Sequence, residues 1–144
     1  MAINYGLDGK VALVTGAGGG IGRAAADVFA RSGASVMVSD VNEAGGAETV
    51  ALIEAAGGKA AFVRCDVSDA EQVKAMVAAT IATFGRLDCA FNNAGINRLT
   101  DDQYDDAIWE RDIAINLSGV MRCMREEAAW MVQNGGGEIG RAHV

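Results

Sequence analysis

The feature that most constrains this chain is a glycine-rich turn at residues 16–22, in which five of the seven residues are glycine. An apolar, β-branched run at residues 10–15 (KVALVT) precedes the turn and predicts a buried strand. Residues 20–32 follow with apolar side chains on one helical face and a glycine just beyond, which predicts a helix. Glycines in this position permit a tight turn and a close main-chain approach to a pyrophosphate.

The alternation of strand and helix continues along the chain. Further strands are predicted at residues 35–40, 60–64 and 89–92. Helices are predicted from a cap at Asn42 to about residue 56, from a capping box of Ser68 and Glu71 to Gly85, and, after a polar loop at residues 97–106, along an apolar stripe that ends at Asn134. We therefore expect a three-layer, Rossmann-like, doubly wound α/β fold whose parallel sheet is incomplete, with about four strands. Its ligand crevice should lie at the carboxyl ends of strands one and four.

Size and charge narrow the classes of function. The 144 residues fit one domain, and the net charge of -7 disfavours attraction to nucleic acid or anionic lipid. No apolar stretch reaches the roughly 18 residues of a membrane-spanning helix, and residues 1–10 lack the pattern of a signal peptide. We expect a cytoplasmic protein without nucleic-acid or membrane partners.

Cysteine and histidine chemistry is disfavoured by spacing. Cys65, Cys89 and Cys123 lie too far apart for a Cys-x-x-Cys redox pair or a zinc knuckle, and we expect reduced, mostly buried thiols. The single histidine, His143, stands next to the last residue with no metal or triad partner nearby in sequence. No metal site is expected.

The glycine spacing separates this turn from two common phosphate-binding loops. It lacks the Gly-Lys-Ser/Thr ending of a Walker-type loop and does not follow GxGxxG. The pattern Gly-x-x-x-Gly-x-Gly at residues 16–22, preceded by Thr15, resembles the cofactor loop of the short-chain dehydrogenase/reductase family. Asn-Asn-Ala-Gly at residues 92–95 and Ile-Asn-Leu at residues 115–117 resemble two further motifs of that family, and the resemblance extends over residues 7–137.

The resemblance implies where a nicotinamide dinucleotide would bind. The turn would hold the adenosine ribose and pyrophosphate through Gly16, Ala17, Gly18, Gly19, Gly20, Ile21 and Gly22. Adenine would lie against Asp66 and Val67, and the middle of the cofactor against Asn93, Ala94 and Gly95. Two alternatives stay open: Gly18 and Gly19 as turn glycines without ligand contact, and Asp66 as an acid that only helps to start the third helix.

Asp40 points to NAD rather than NADP. It ends the second predicted strand, close to the offset of about 20 residues at which an acid hydrogen-bonds a ribose 2′-hydroxyl. Neither Gly19 nor Val41, where NADP-using relatives often have a basic residue, is positively charged. The alternative is that Asp40 serves only as a helix-capping acid.

The residues for hydride-transfer catalysis are missing from the sequence. The resemblance implies a serine, a tyrosine and a lysine after the fifth strand, but Tyr5 and Tyr104 are not followed by lysine four positions later. Asn116 is the one member of the family's catalytic tetrad that the chain retains. Alternatively, Asn116 is a solvent-facing or backbone-bonded residue of its helix.

Residues 138–144 (EIGRAHV) look foreign to the family. A coding sequence that resembles a widely used sequencing adapter would encode these residues, so we expect residues 1–137 to be a partial NAD-binding domain followed by a non-native tail. A genuine short protein with an unrelated tail is the alternative. Without a fifth strand, strand four should present an exposed apolar edge.

The leading interpretation is an NAD-dependent oxidoreductase of the short-chain dehydrogenase/reductase type, present as a cofactor-binding fragment that is inactive alone. Its intact parent would act on a secondary alcohol or ketone and, by resemblance, form a homotetramer. The alternative is a noncatalytic dinucleotide-binding or redox-sensing module that keeps the fold without the reaction.

Overall fold

The computed structural model describes residues 5–97 and 105–142. Its elements, in chain order, are β1 (Val11–Thr15), α1 (Gly20–Arg31), β2 (Ser35–Asp40), α2 (Glu43–Ala55), β3 (Lys59–Arg64), α3 (Ala70–Phe84), β4 (Cys89–Asn92), α4 (Asp106–Asp112), a π-helical segment (Ile113–Gly119), α5 (Val120–Gln133) and β5 (Glu138–Arg141). Among the described residues, no helix is long and apolar enough to cross a membrane.

The sheet is parallel throughout and has the strand order β3-β2-β1-β4-β5. β1 lies at the centre, and all five of its residues are buried because helices cover both faces. One core cluster packs β1 and β2 against α1 and α2, and the other packs the opposite face against α3 and α5. The expected three-layer, Rossmann-like α/β class is confirmed, with the carboxyl ends of β1 and β4 side by side.

A fifth strand is the main departure from the expected sheet. The sequence predicts about four strands and an exposed edge on β4, but β5 pairs with β4 in register from Cys89–Glu138 to Asn92–Arg141. Gly135 and Gly136, both with positive φ, turn the chain back after α5, and Ile139 packs against the core. The prediction of an uncovered β4 was therefore wrong, because these four residues adopt the extended backbone that the β4 edge requires. The foreign character of the tail stays a prediction.

Helix starts agree with the sequence at α2 and differ at α3. The Asn42 side chain accepts a hydrogen bond from the Gly45 amide, as predicted for the cap of α2. At α3 the cap is Asp69, which accepts from the amides of Glu71 and Gln72, so the predicted capping box of Ser68 and Glu71 is wrong. Asp and Ser are both good caps, and the sequence places them next to each other.

The predicted long helix is divided by the π-helical segment. Gly119 ends this segment against Val67, where an added Cβ would lie 2.7 Å from the Val67 Cγ2. Along α5, Cys123 and Met131 are buried while Met121 and Met124 are half exposed, so its buried face differs from the predicted apolar stripe. The polar loop predicted at residues 97–106 falls mostly outside the described residues.

Gly46 offers a test of how closely α2 packs on the sheet. A Cβ at Gly46 would overlap the aromatic ring of Phe62 on β3, so Gly46→Ala should destabilise the fold by about 1–3 kcal/mol through overpacking. Gly19→Ala is the matched control, because nothing lies within 4 Å of its added Cβ. Thermal unfolding followed by circular dichroism should show a lower Tm for Gly46→Ala than for Gly19→Ala; equal Tm values would contradict this packing.

Candidate functional site

The glycine turn brings three main-chain segments into contact at the end of β1. Gly16 has φ +64°, and an added Cβ would lie 2.9 Å from the Ala94 Cα in the segment after β4. A Cβ on Gly22 would overlap the Gly16 carbonyl oxygen, so α1 approaches the turn only because this residue is glycine. These contacts place the first turn of α1 beside the residues that follow β4.

Hydrogen bonds made by two side chains, which the sequence did not predict, join β1 to the segment after β4. The buried Thr15 Oγ1 accepts hydrogen bonds from the amides of Asn93 (3.1 Å) and Ala94 (3.0 Å). The Asn93 Nδ2 in return donates to the carbonyl oxygens of Thr15 (3.1 Å) and Gly16 (3.2 Å). Thr15 stands directly before the glycine motif, and this position was the one available signal.

The amino end of α1 is open at this point. Its cap, Gly19, is extended and makes no side-chain hydrogen bond to the first turn. Unpartnered amides at a helix amino terminus, together with the helix dipole, favour an anion such as a phosphate. The turn therefore has the shape and polarity that a pyrophosphate needs.

A cavity of about 430 Å³ collects most of the predicted cofactor residues. The predicted residues that line it are Gly16, Gly18, Gly19, Asp40, Asp66, Val67, Asn93, Ala94 and Gly95. Ala17, Gly20, Ile21 and Gly22 do not line it. Ala17 is buried, and Ile21, which is 70% exposed, lines an adjoining cavity of about 620 Å³ together with Asn116.

Asp40 is held at the cavity edge by two main-chain amides. Its Oδ2 accepts from the Gly18 amide at 2.8 Å, and its Oδ1 accepts from the Asn42 amide at 2.9 Å. An added Cβ on Gly18 would lie 2.9 Å from the Asp40 Cγ, so glycine is needed for this contact. Asn42 caps α2, and Asp40 is left with free acceptor capacity on an oriented carboxylate.

Asp66 lies across the cavity and is anchored by its neighbour. Its Oδ1 accepts from the Ser68 amide (2.9 Å) and hydroxyl (2.6 Å), and the Arg111 guanidinium of α4 lies 3.9 Å from its Oδ2. The Ser68 hydroxyl bond, with further help from Arg111, lowers the pKa of Asp66 below its ordinary value despite partial burial. The cap of α3 is Asp69, so Asp66 does not cap this helix.

Asn116 holds the segment after β4 through both the oxygen and the nitrogen of its side-chain amide. Its Oδ1 accepts from the Ile96 amide at 2.8 Å, and its Nδ2 donates to the Ile96 carbonyl at 2.7 Å. The Asn116 main-chain carbonyl accepts from the Arg141 guanidinium at 3.3 Å. The side chain is thus backbone-bonded, which is the alternative that the sequence left open.

A buried acid beneath the site was not identified from the sequence. Glu127 of α5 is fully buried, and its Oε2 accepts from the Asn92 Nδ2 at 2.8 Å. Burial raises the pKa of Glu127 from its ordinary value of 4.5 to about 7, and the Asn92 hydrogen bond opposes the rise. Among the residues that the structure describes, the Glu127 Oε1 and the Asn92 Oδ1 are buried acceptors without hydrogen-bond partners, so the neutral acid, which has a proton to donate, suits this place better than the carboxylate.

One of the cysteines, Cys65, lines the 430 Å³ cavity together with Asp40 and Asp66. All three cysteines are free thiols, and burial raises the pKa of Cys65 to about 11. Within residues 5–97 and 105–142, no group of three or more His, Cys, Asp or Glu residues could hold a metal ion. His143 lies outside the described residues.

Comparisons with known proteins agree on one family. The sequence model described as short chain dehydrogenase matches residues 10–140. The chain is 46% identical over 136 residues to a short chain dehydrogenase/reductase of Aspergillus oryzae, which covers 92% of this chain and 52% of that protein. It is 43% identical over 131 residues to a 2,5-dichloro-2,5-cyclohexadiene-1,4-diol dehydrogenase of Sphingobium indicum, which covers 90% of this chain and 51% of that protein.

A solved structure adds a bound cofactor to the comparison. A 7α-hydroxysteroid dehydrogenase complexed with NADH and 7-oxo glycochenodeoxycholic acid superimposes with a TM-score of 0.90 at 36% identity, over 96% of this chain and 54% of that one. By the two sequence comparisons, the chain spans about half the length of the curated relatives it matches.

The buried acid generates a prediction about stability and pH. Because the folded protein keeps the Glu127 proton up to a pKa of about 7 while the unfolded chain releases it near 4.5, stability should fall as pH rises between these values. The loss should total about 3 kcal/mol. Glu127→Gln should remove most of this loss, since a neutral amide can both accept from and donate to Asn92.

Urea unfolding of both proteins at pH 5 and pH 8 measures the difference. Glu54→Gln, an exposed position on α2, is the control and should keep the wild-type pH dependence. A Glu127→Gln variant that loses as much stability between the two pH values as the wild type would contradict a neutral Glu127.

Proposed function

Because the chain belongs to the short-chain dehydrogenase/reductase family, we propose that it binds a nicotinamide dinucleotide, prefers NAD to NADP, and forms the cofactor half of an oxidoreductase acting on a secondary alcohol or ketone. The relatives it matches are named dehydrogenases of a chlorinated cyclohexadienediol, of cyclohexanol and of steroids, which supports that substrate class. When bound, the cofactor would supply the hydride chemistry.

The observation that carries the choice of NAD is the carboxylate of Asp40. Its two oxygens are oriented by the amides of Gly18 and Asn42, and it lines the cavity with spare acceptor capacity. A ribose 2′-hydroxyl could donate to this carboxylate, whereas a 2′-phosphate would meet a like charge. Asp40 therefore both binds one coenzyme and repels the other.

Other parts of the site suit the pyrophosphate, the adenine and the nicotinamide. The open amino end of α1 suits the pyrophosphate, since Gly19 leaves the first amides without a cap. Asp66 and Val67 suit the adenine on one side, and the segment Asn93–Gly95 lies toward the adjoining cavity, where the nicotinamide would be placed.

We propose further that the 144 residues bind the cofactor without turning over a substrate. The support for this proposal is that the sequence has no Tyr-x-x-x-Lys. The half-exposed apolar residues Leu117, Met121 and Met124 would serve an intact parent as a contact between subunits, in line with a homotetramer.

Coenzyme titrations test the role of Asp40. Wild-type protein should bind NADH more tightly than NADPH, and Asp40→Asn should weaken NADH binding about tenfold, because a charge-assisted hydrogen bond is lost. The same change should bring the two coenzymes closer in affinity, since the repulsion of the 2′-phosphate is removed. Quenching of Trp109 and Trp130 fluorescence gives both Kd values.

The control for this titration is Asp27→Asn on α1, where the carboxylate pairs with Arg31 and does not line the cofactor cavity. It changes the net charge equally and should leave both Kd values unchanged. A well-folded wild-type sample with no affinity for NADH would overturn the proposed function. An Asp40→Asn variant with the wild-type ratio of affinities would overturn the preference for NAD.

A separate assay tests the absence of turnover. The 144-residue chain, incubated with NAD and a panel of secondary alcohols that includes cyclohexanol, should form no NADH, as followed by absorbance. Heat-denatured protein provides the baseline. Formation of NADH above that baseline would show that catalysis does not need the missing tyrosine and lysine.

A further inference from the structure

We infer that Arg23 is a positioning residue for the cofactor loop, which it orients from behind and thereby sets the selectivity of Asp40. This inference rests on the proposed function, because its effect is read through coenzyme binding. The supporting observations are the contacts of the Arg23 guanidinium, which join the glycine turn to α2.

The guanidinium of Arg23 makes four polar contacts. Its Nη2 donates to the carbonyl oxygens of Gly18 (2.7 Å) and Gly45 (3.2 Å), and it lies 2.7 Å from the Glu48 carboxylate. Its Nε donates to the Thr49 hydroxyl at 3.0 Å. One side chain of α1 thus bridges the turn before it and the helix that follows β2.

Thr49 makes this bridge rigid. It is buried, and its hydroxyl lies 2.8 Å from the Ala17 carbonyl and 3.0 Å from the Gly45 carbonyl while it accepts from Arg23. An added Cβ on Gly45 would lie 2.5 Å from the Gly18 carbonyl oxygen, so α2 stands directly against the turn. The carbonyl at position 17 is thus held by Thr49 of α2, and the carbonyl at position 18 by Arg23 of α1.

The consequence concerns residue 18, whose two main-chain polar groups are held in different directions. Its amide donates to Asp40, and its carbonyl accepts from Arg23. A rotation of φ or ψ at Gly18, which glycine would otherwise permit, cannot keep both bonds. Arg23 therefore keeps the Gly18 amide where it anchors the Asp40 carboxylate.

Arg23 acts from outside the cofactor cavity. It is absent from the lining of the 430 Å³ cavity and lines instead a separate groove of about 310 Å³ between α1 and α2. Glu48 also neutralises its charge. A direct attraction to the coenzyme phosphates is therefore not its role, and the effect must pass through the turn.

An effect on binding can be separated from an effect on folding. The Arg23–Glu48 pair lies at the surface, with Glu48 exposed, and such pairs contribute little to stability. A purely structural role would weaken NADH and NADPH binding in parallel. Loss of an anchor for Asp40 should instead weaken NADH binding more than NADPH binding.

The test measures Kd for NADH and NADPH by tryptophan fluorescence, and Tm, for Arg23→Met, Arg23→Lys and Arg31→Met. Arg23→Met should weaken NADH binding about tenfold. It should also lower the ratio of the Kd for NADPH to the Kd for NADH severalfold. Arg23→Lys, which keeps a donor for the Gly18 carbonyl, should recover most of the NADH affinity and most of the Kd ratio. Arg31→Met, which loses an exposed ion pair on the same helix, should match the wild type.

Three outcomes decide between the proposals. A folded Arg23→Met protein with wild-type affinities, or with both affinities reduced by the same factor, overturns the positioning role and leaves the proposed function intact. A wild-type protein that binds no NADH overturns the proposed function and with it this inference. If Arg23→Met does not fold, Thr49→Val, which removes the hydroxyl bonded to the Arg23 Nε, should lower the same ratio, and an unchanged ratio there overturns the inference.

Discussion

The close approach of main chain at the carboxyl end of β1 is the constraint on which the rest of the structure depends. Gly16 and Gly22 let the segment after β4 and the start of α1 touch the same turn, and Thr15 ties that segment to β1 through two amides. Any side chain at these glycines would separate the layers. The cavity exists because three backbones meet where most proteins place side chains.

Polar groups around this meeting point are arranged in layers. Behind the turn, Arg23 and Thr49 of α1 and α2 hold its carbonyls, and toward the cavity Asp40 holds one of its amides. No side chain caps the first turn of α1. The loop is thus satisfied on the protein side and unsatisfied on the side that would receive a diphosphate, which is how a rigid anion site is built.

Sequence periodicity predicted the strands and most of the helices, because hydrophobic spacing reports burial directly. The bounds of β2 and β4 and the Asn42 cap were correct. β5 was missed because its four residues, with one partly buried isoleucine, carry no strand pattern of their own and pair only where β4 offers an edge. The π-helical segment was missed because the apolar spacing of the sequence fits one continuous helix. Glycine motifs indicated residues that line the cavity. Arg23 and Glu127 were missed because they have partners 22 to 35 positions away that no local pattern indicates.

Glu127 couples folding of this protein to the uptake of a proton from the solvent. With a pKa of about 7 in the folded chain and an ordinary value of 4.5 when exposed, the residue takes up a proton as the protein folds at mildly acidic pH. That proton comes from the buffer, so the heat of refolding contains the ionisation enthalpy of whichever buffer is chosen. Calorimetric enthalpies for this protein are therefore comparable between laboratories only when the buffer is the same.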